Sequence, residues 1–396
     1  MPDTSNDRAV EAPARAPSRA PGSAPVRIGI SGSYGGLNMG DEAILESIVT
    51  QIRDTLAAEI TVFTRDPDDT RERHPVDHAV DVRALTRDEA REQVEQLDLL
   101  VLGGGGILYD RDVEAYLREV ALAHETGVPV MVYAVSAGPL EDPAARELVR
   151  EHLSRAAVVT VRDRQGQRLL EEVGVEQDIV VTADPALLMR PQPLPDDALL
   201  REGLDPETLL VGFSVREPGP AAPDIDVEHY HALLANAADF MVDRLDAHVV
   251  FVPMERKKMD MQHSHAVVAR MQCADRATVL KHAYSPGQLI SLIGHFGFSV
   301  GMRLHFLIFS ALAGVPFVAL PYASKVTGLI EDLEMEMPPL KEVNTGRLIA
   351  TIDRSWDLHA QVRDRIRQRL PALQERARET HHFLERLLQQ TATPLD

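Results

Sequence analysis

Val26-Arg-Ile-Gly-Ile-Ser-Gly-Ser-Tyr-Gly-Gly-Leu-Asn-Met-Gly-Asp-Glu-Ala-Ile-Leu45 passes from a short apolar run, through a glycine-rich turn, into a segment of helical periodicity. A strand over 26–31 feeding a helix over 42–56 is the unit from which parallel sheets are built. The glycines allow the backbone to approach a ligand closely, and unpaired N–H groups at the helix start favour an anion. Asp41 suits a helix cap, a position that favours Asp, as well as a carboxylate facing a cleft. The turn lacks the Lys-Ser/Thr of a Walker A loop and does not match GxGxxG, so nucleoside triphosphates and dinucleotides are poor fits.

The same alternation continues outward. Apolar runs at 60–64, 97–102, 128–135, 158–161 and 179–182 predict further strands, mostly continuous as expected when both faces are buried. Prolines 191, 193, 195 and 206 mark a linker over 191–206. A second series follows at 209–214, 248–252, 278–281, 298–301 and 316–320. At 396 residues the chain exceeds one ordinary core, so the expectation is α/β: two Rossmann-like parallel-sheet domains, 26–190 and 207–350, facing a cleft as in the GT-B architecture. Residues 351–396 form a helical extension whose stripe of Leu370, Leu373, Phe383, Leu384, Leu387 and Leu388 packs back on the domains. Residues 1–25, rich in Ala, Pro, Arg and Ser, read as a disordered tail without the apolar centre of a secretory signal.

A formal charge of -20 opposes nucleic acid as a partner, because a field of that sign repels polyanions. An anionic substrate must therefore be gripped locally. Cys273 is the sole cysteine, which excludes an intrachain disulfide and fits a cytoplasmic setting. No integral membrane segment is expected, since no run approaches the roughly 18 to 20 apolar residues that span a bilayer.

Several strand ends carry chemistry. Gly103 to Gly106 follow the third strand, and four glycines in a row suggest close access for a ligand, with Gly104, Gly105 and Gly106 lining it. Tyr133-Ala-Val-Ser-Ala-Gly-Pro139 sets Ser136 on the same edge without forming a nucleophile elbow. Arg162-Asp163 reads equally as a local ion pair. In the second half, Ser214-Val-Arg216 brings a guanidinium suited to a carboxylate or phosphate. Residues 251–260 read as a solvated loop at Lys257 and Lys258, with Asp260 free to accept a sugar hydroxyl. His263 and His265, two apart, do not share a helix face, so metal ligation is not expected. Gly301-Met-Arg-Leu-His305 hands a strand to a helix over 306–313 and puts Arg303 and His305 in its first turn, an anion site reinforced by the helix dipole. Lys325, in Pro321-Tyr-Ala-Ser-Lys325, ends the next strand and reaches the same cleft.

The chain resembles the polysaccharide pyruvyltransferase family in GSYGGLNMGDEAIL at 32–45, VLGGGGIL at 101–108, SAGP at 136–139, VRD at 161–163, ADP at 183–185, SVR at 214–216, GMRLH at 301–305 and PYASKV at 321–326. The likeness spans about 26–335. It implies a GT-B-like fold, phosphoenolpyruvate as co-substrate, no other cofactor and no metal, and a saccharide acceptor with two neighbouring hydroxyls that become a cyclic ketal. It implies that Arg216, Arg303, His305, Asp260 and Arg162 match donor-binding or catalytic positions, and the chemistry of the residues makes His305, Asp260 and Asp41 the candidate catalytic ones. Arg216, Arg303, Leu304, Lys325, Arg162, Asn38, Gly104, Gly105, Gly106 and Ser136 are the candidate substrate-binding residues. A nucleotide-sugar glycosyltransferase and a non-catalytic saccharide-binding protein are the alternatives. Whether the acceptor is lipid-linked, whether the protein sits at the inner face of a membrane, and whether it forms a homo-oligomer are left open.

Overall fold

The structure, a computed structural model, describes residues 24–216, 226–255, 259–320, 324–335 and 344–391. The expected tail up to residue 23, Lys257 and Lys258, and residues 321–323 lie outside them. Strands β1 (Val26–Ser31), β2 (Ala58–Thr64), β3 (His78–Asp81), β4 (Leu99–Leu108), β5 (Val130–Ala137), β6 (Val158–Val161) and β7 (Ile179–Val181) assemble in the order β3-β2-β1-β4-β5-β6-β7. Strands β8 (Leu210–Ser214), β9 (His248–Phe251), β10 (Ala277–Val279), β11 (Phe296–Gly301) and β12 (Phe317–Ala319) assemble in the order β10-β9-β8-β11-β12. Pairing is parallel throughout both sheets.

In each sheet the winding reverses between the first and fourth strands, at β1/β4 and at β8/β11. Crevices beyond the carboxyl ends of such switch points are where doubly wound sheets bind ligands. The glycine turn after β1 and the Gly301–His305 handover after β11 both stand at these points.

Two expectations change. The edge strand β3 was not expected, because His78–Asp81 is half exposed and has no apolar run. The glycine run does not follow a strand but lies within one: β4 continues to Leu108, with Gly103, Gly105 and Gly106 paired to Tyr133, Val135 and Ser136. A Cβ at Gly103 would stand 2.3 Å from the Tyr34 hydroxyl, and one at Gly104 2.7 Å from Ile44 Cγ2. Those two glycines therefore serve packing, and Gly105 alone of the four has a positive φ, +102°.

The proline-rich segment is pinned at both ends. Gln192 donates to Glu46 and its N–H to Gly287 O, while buried Glu202 accepts the N–H groups of Lys281 and His282 and the Tyr284 hydroxyl. The last helix, His359–Thr391, returns to the first sheet, where Arg376 donates to Thr182 O and Thr380 to the Thr182 hydroxyl. Leu373, Leu384, Leu387 and Leu388 bury the expected stripe. None of the described helices is long and apolar enough to cross a membrane.

Candidate active site

The two switch points meet through the backbone. Met39 N–H donates to Met254 O at 2.8 Å, and Asn38 bridges Glu255. Asn38, not Asp41, caps the helix Met39–Thr55, its Oδ1 accepting the Gly40 N–H at 3.0 Å. Asp41 is thereby left in the first turn, and a Cβ on Gly105 would lie 3.6 Å from its Oδ1. Burial raises the Asp41 carboxyl above its ordinary value, with His305, the Ser33 hydroxyl and Lys325 offsetting only part of the effect.

His305 is the second residue of the helix Leu304–Leu312. Its ring lies across the start of the helix Met39–Thr55, so that a Cβ on Gly40 would stand 1.9 Å from Nδ1. Its Nε2 is 3.5 Å from Asp184 Oδ2, within ion-pair range, and has no hydrogen-bond partner among the described residues. Arg162, buried at the end of β6, donates from Nη1 to the same Asp184 oxygen at 2.7 Å, while its Nε is likewise without a hydrogen-bond partner among the described residues. A Cβ on solvent-exposed Gly106 would lie 3.6 Å from Arg162 Nη2 and 4.0 Å from Lys325 Nζ. Burial alone would raise the Asp184 carboxyl, but Arg162, His305 and the Ala186 N–H hold it well below the usual carboxylate range.

Asp41, Arg162, Asp184, His305 and Lys325 thus converge beside Gly105 and Gly106. Leu304 joins Arg162, Asp184 and Lys325 in lining a small cavity. Ser136 is committed elsewhere: its hydroxyl donates to Asp163 Oδ2 at 2.6 Å, and Asp163 caps the helix Arg164–Val173. The adjacent Arg162 and Asp163 approach only to 4.0 Å, so Asp184 is the true partner of Arg162.

Arg303 and Asp260 depart from expectation. Arg303 is the residue before the helix rather than in its first turn. Its Nε and Nη2 grip Asp260 at 2.9 and 2.5 Å, and Nη2 also reaches Glu255 at 2.9 Å. Asp260 is fully buried and accepts the N–H groups of Met254 and Glu255 as well. It is enclosed by these partners, and holds Arg303 and the 254–255 backbone that meets Asn38 and Met39. Arg216 follows β8, its N–H donating to the Tyr230 hydroxyl at 3.2 Å, and Met302 N–H donates to Ser214 O, which keeps the two strand ends side by side.

Asp184 was missed as a site residue. The signal available was Ala183-Asp184-Pro185 after a strand, which by itself reads as a cap, and Asp184 does cap the turn Pro185–Leu188.

The Polysaccharide pyruvyl transferase family model matches residues 38–324. That range takes in Asp41, Arg162, Asp184 and His305 and ends one residue before Lys325. The chain belongs to the polysaccharide pyruvyl transferase family. Within the family's reach it is 22% identical over 289 residues, 69% of each chain, to the amylovoran biosynthesis protein AmsJ of Erwinia amylovora. Among solved structures it is similar to a glycosyltransferase from Rickettsia africae ESF-5 (TM-score 0.63, 11% identity, 92% of this chain and 99% of that one). It is also similar to Anabaena Alr3699/HepE in complex with UDP-glucose (0.60, 15%, 90% and 99%) and to a putative UDP-N-acetylglucosamine 2-epimerase from Listeria monocytogenes (0.62, 12%, 94% and 99%). At such identities the likeness speaks for the fold, two parallel-sheet domains of the GT-B kind. The pyruvyl transferase family membership makes the protein a transferase of polysaccharide biosynthesis.

Proposed function

We propose that the protein transfers the pyruvyl group of phosphoenolpyruvate to two neighbouring hydroxyls of a saccharide, forming a cyclic ketal and releasing phosphate. The observation that supports this reading most is the convergence of Asp41, Arg162, Asp184, His305 and Lys325 where the two switch points meet. Phosphoenolpyruvate carries a carboxylate and a phosphate, and Arg162 and Lys325, with Arg216 just after β8, would supply the cations. Charge-assisted hydrogen bonds in a site shielded from water are the strong ones.

His305 gives a proton to the methylene carbon, C3, which leaves C2 cation-like. One hydroxyl oxygen bonds to C2 while Asp41 takes its proton, a task to which a raised carboxyl pKa is suited. The bond from C2 to the phosphate oxygen then breaks, and the second hydroxyl oxygen closes the ring. Of the two hydroxyl protons, one replaces the proton given to C3 and the other leaves on phosphate. Asp184 stays ionised and positions both Arg162 and His305, while Arg303 and Asp260 fix the backbone behind them. The scheme calls for no cofactor beyond phosphoenolpyruvate.

The test is to incubate the purified protein with phosphoenolpyruvate and a panel of glycans, reading phosphate release and the ketal by mass spectrometry. Acceptor-dependent ketal is expected, with His305→Ala binding donor but failing to turn over. Inhibition by a nucleoside diphosphate together with indifference to phosphoenolpyruvate would replace this reading with that of a nucleotide-sugar enzyme.

A further inference from the structure

Aromatic residues are scarce, 5% of the chain, so the few that are not buried are informative. Among the described tyrosines, Tyr34, Tyr133, Tyr230 and Tyr284 are buried. Tyr109 and Tyr116 are half exposed and stand together, ring centroids 6.4 Å apart and planes at 60°. Tyr109 is the residue directly after β4. Tyr116 lies on the helix Val113–Thr126, whose face is fixed by the hydrogen bond from the Ser31 hydroxyl to buried Glu119 at 3.2 Å. Three residues before Glu119 on that face, Tyr116 is about one turn nearer the helix start. That turn lies toward the carboxyl edge of the sheet and the glycine turn. The Tyr34 phenol beneath the glycine turn agrees: it is raised by burial and then by Asp41, Glu42, Tyr133 and Tyr116.

Asp112 occupies the cap position of this helix yet makes no capping bond. Its carboxylate instead accepts the Tyr109 hydroxyl at 2.6 Å. An Asp at a helix start ordinarily caps. Here the cap is given up to hold a half-exposed aromatic ring. Tyr109 is three residues beyond Gly106, about 10 Å of extended strand, and Gly106 is where Arg162 and Lys325 converge.

We propose that Tyr109, Tyr116 and Asp112 form the platform that receives the acceptor saccharide. A pyranose has an apolar C–H face and a rim of hydroxyls, and tyrosine pairs an apolar ring with a polar tip. Asp112 accepts hydroxyls at the rim. Next to these residues in the chain and the adjoining loop, the half-exposed and exposed charges are Asp110, Glu114, Glu141 and Asp142 with Arg111 and Arg118, and Arg118 is taken up by Glu119, so the acidic balance favours a neutral sugar over a uronate. The acceptor role rests on the pyruvyl-transfer reading; saccharide binding does not, and it is measured without phosphoenolpyruvate.

The experiment is saturation-transfer NMR on the full chain with methyl glycosides of glucose, galactose and mannose, and with the matching methyl uronides. Transfer to ring C–H protons of at least one neutral glycoside is expected. Tyr109→Ala should weaken it about tenfold, roughly the upper end of what one aromatic contact contributes, and Tyr116→Phe should stay within about threefold of wild type. Asp112→Asn weakens the neutral sugar without changing which face receives saturation. The platform is overturned if no glycoside receives saturation from wild type, or if Tyr109→Ala and Tyr116→Ala bind as wild type does. A uronide bound as tightly as its neutral partner overturns the preference. Tyr-dependent sugar binding with no ketal from phosphoenolpyruvate would leave the platform standing and remove the pyruvyl reading. Ketal formation with an unchanged acceptor KM in Tyr109→Ala would do the reverse.

Discussion

Replacing Gly40 by alanine places a methyl group where the His305 ring now lies. The new Cβ would stand 1.9 Å from Nδ1, 2.4 Å from Cγ and 2.5 Å from Cε1, whereas carbon atoms in contact settle near 3.5–4.0 Å. Three ring atoms are crowded at once, so no ring flip relieves the clash, and the imidazole must withdraw by about 1.5 Å. Gly40 has no positive φ, and the capping bond from its N–H to Asn38 does not involve the side chain. Alanine is therefore compatible with the backbone and the better helix former by up to about 1 kcal/mol. A misplacement of about 1 Å can cost about 100-fold in rate. The expected outcome is a fall of about 100-fold or more in kcat/KM for acceptor-dependent phosphate release, with the thermal midpoint unchanged or slightly raised. Turnover within threefold of wild type would refute the placement of His305 as proton donor. A loss of several degrees in Tm would refute the claim that the ring alone yields.

Asp41→Asn should stabilise the fold while abolishing turnover. A buried carboxyl with a raised pKa weakens the folded state once pH exceeds its ordinary value, and the penalty is full above the raised value. The gain in Tm over wild type should thus be absent below about pH 3.8 and grow toward neutrality in a pH series of melts. Asp184→Asn should act in the opposite sense, since a lowered carboxyl stabilises the fold above its ordinary pKa and loses that contribution as pH falls. Leaving buried Arg162 without its partner should cost about 3–5 kcal/mol at neutral pH by denaturant titration, a difference that shrinks in acid. Glu42 accepts the Gly35 N–H at 3.1 Å and pairs with His74 at 2.9 Å, both side chains fully enclosed. Glu42→Gln, which keeps the acceptor, should retain activity within about threefold. Glu42→Leu with His74→Leu should keep much of the stability, as apolar replacement of a buried pair often does, and lose at least about tenfold in kcat as the glycine turn loosens.

Much of the fold was legible because buried parallel strands write themselves as continuous apolar runs. The edge strand β3 escaped because a strand half open to water has no such run. The glycine run was harder to read: absence of a side chain looks the same whether it admits a ligand or, as at Gly103 and Gly104, the Tyr34 hydroxyl and Ile44. At the candidate site, Asp41, Arg162, His305 and Lys325, which the structure brings together, stand out in the sequence because each follows a strand or opens a helix at the sheet edge. Asp184 was passed over because its local role, capping Pro185–Leu188, fully accounts for an Asp before a Pro. Its contacts with Arg162 and His305 cross 22 and 121 residues of sequence, a separation no spacing rule covers.

Arg303 shows the limit from the other side. Sequence placed Arg303 at the cleft as a cation for the substrate, whereas in the structure Asp260 from 43 residues upstream holds it. A buried ion pair of this kind is weak evidence for stability, since its desolvation offsets most of the attraction. Its consequence is geometric. Arg303 holds Glu255 and Asp260, Asp260 holds the N–H groups of Met254 and Glu255, and Met254 accepts the Met39 N–H beside the cap of the helix that carries Asp41. His305 is two residues from Arg303 on the other side of the same junction. The chain of bonds therefore sets the separation of Asp41 and His305, the two groups assigned to move protons, from opposite sheets. An apolar pair at 260 and 303 could keep the fold but would leave that separation to looser packing, which explains why charge is buried here.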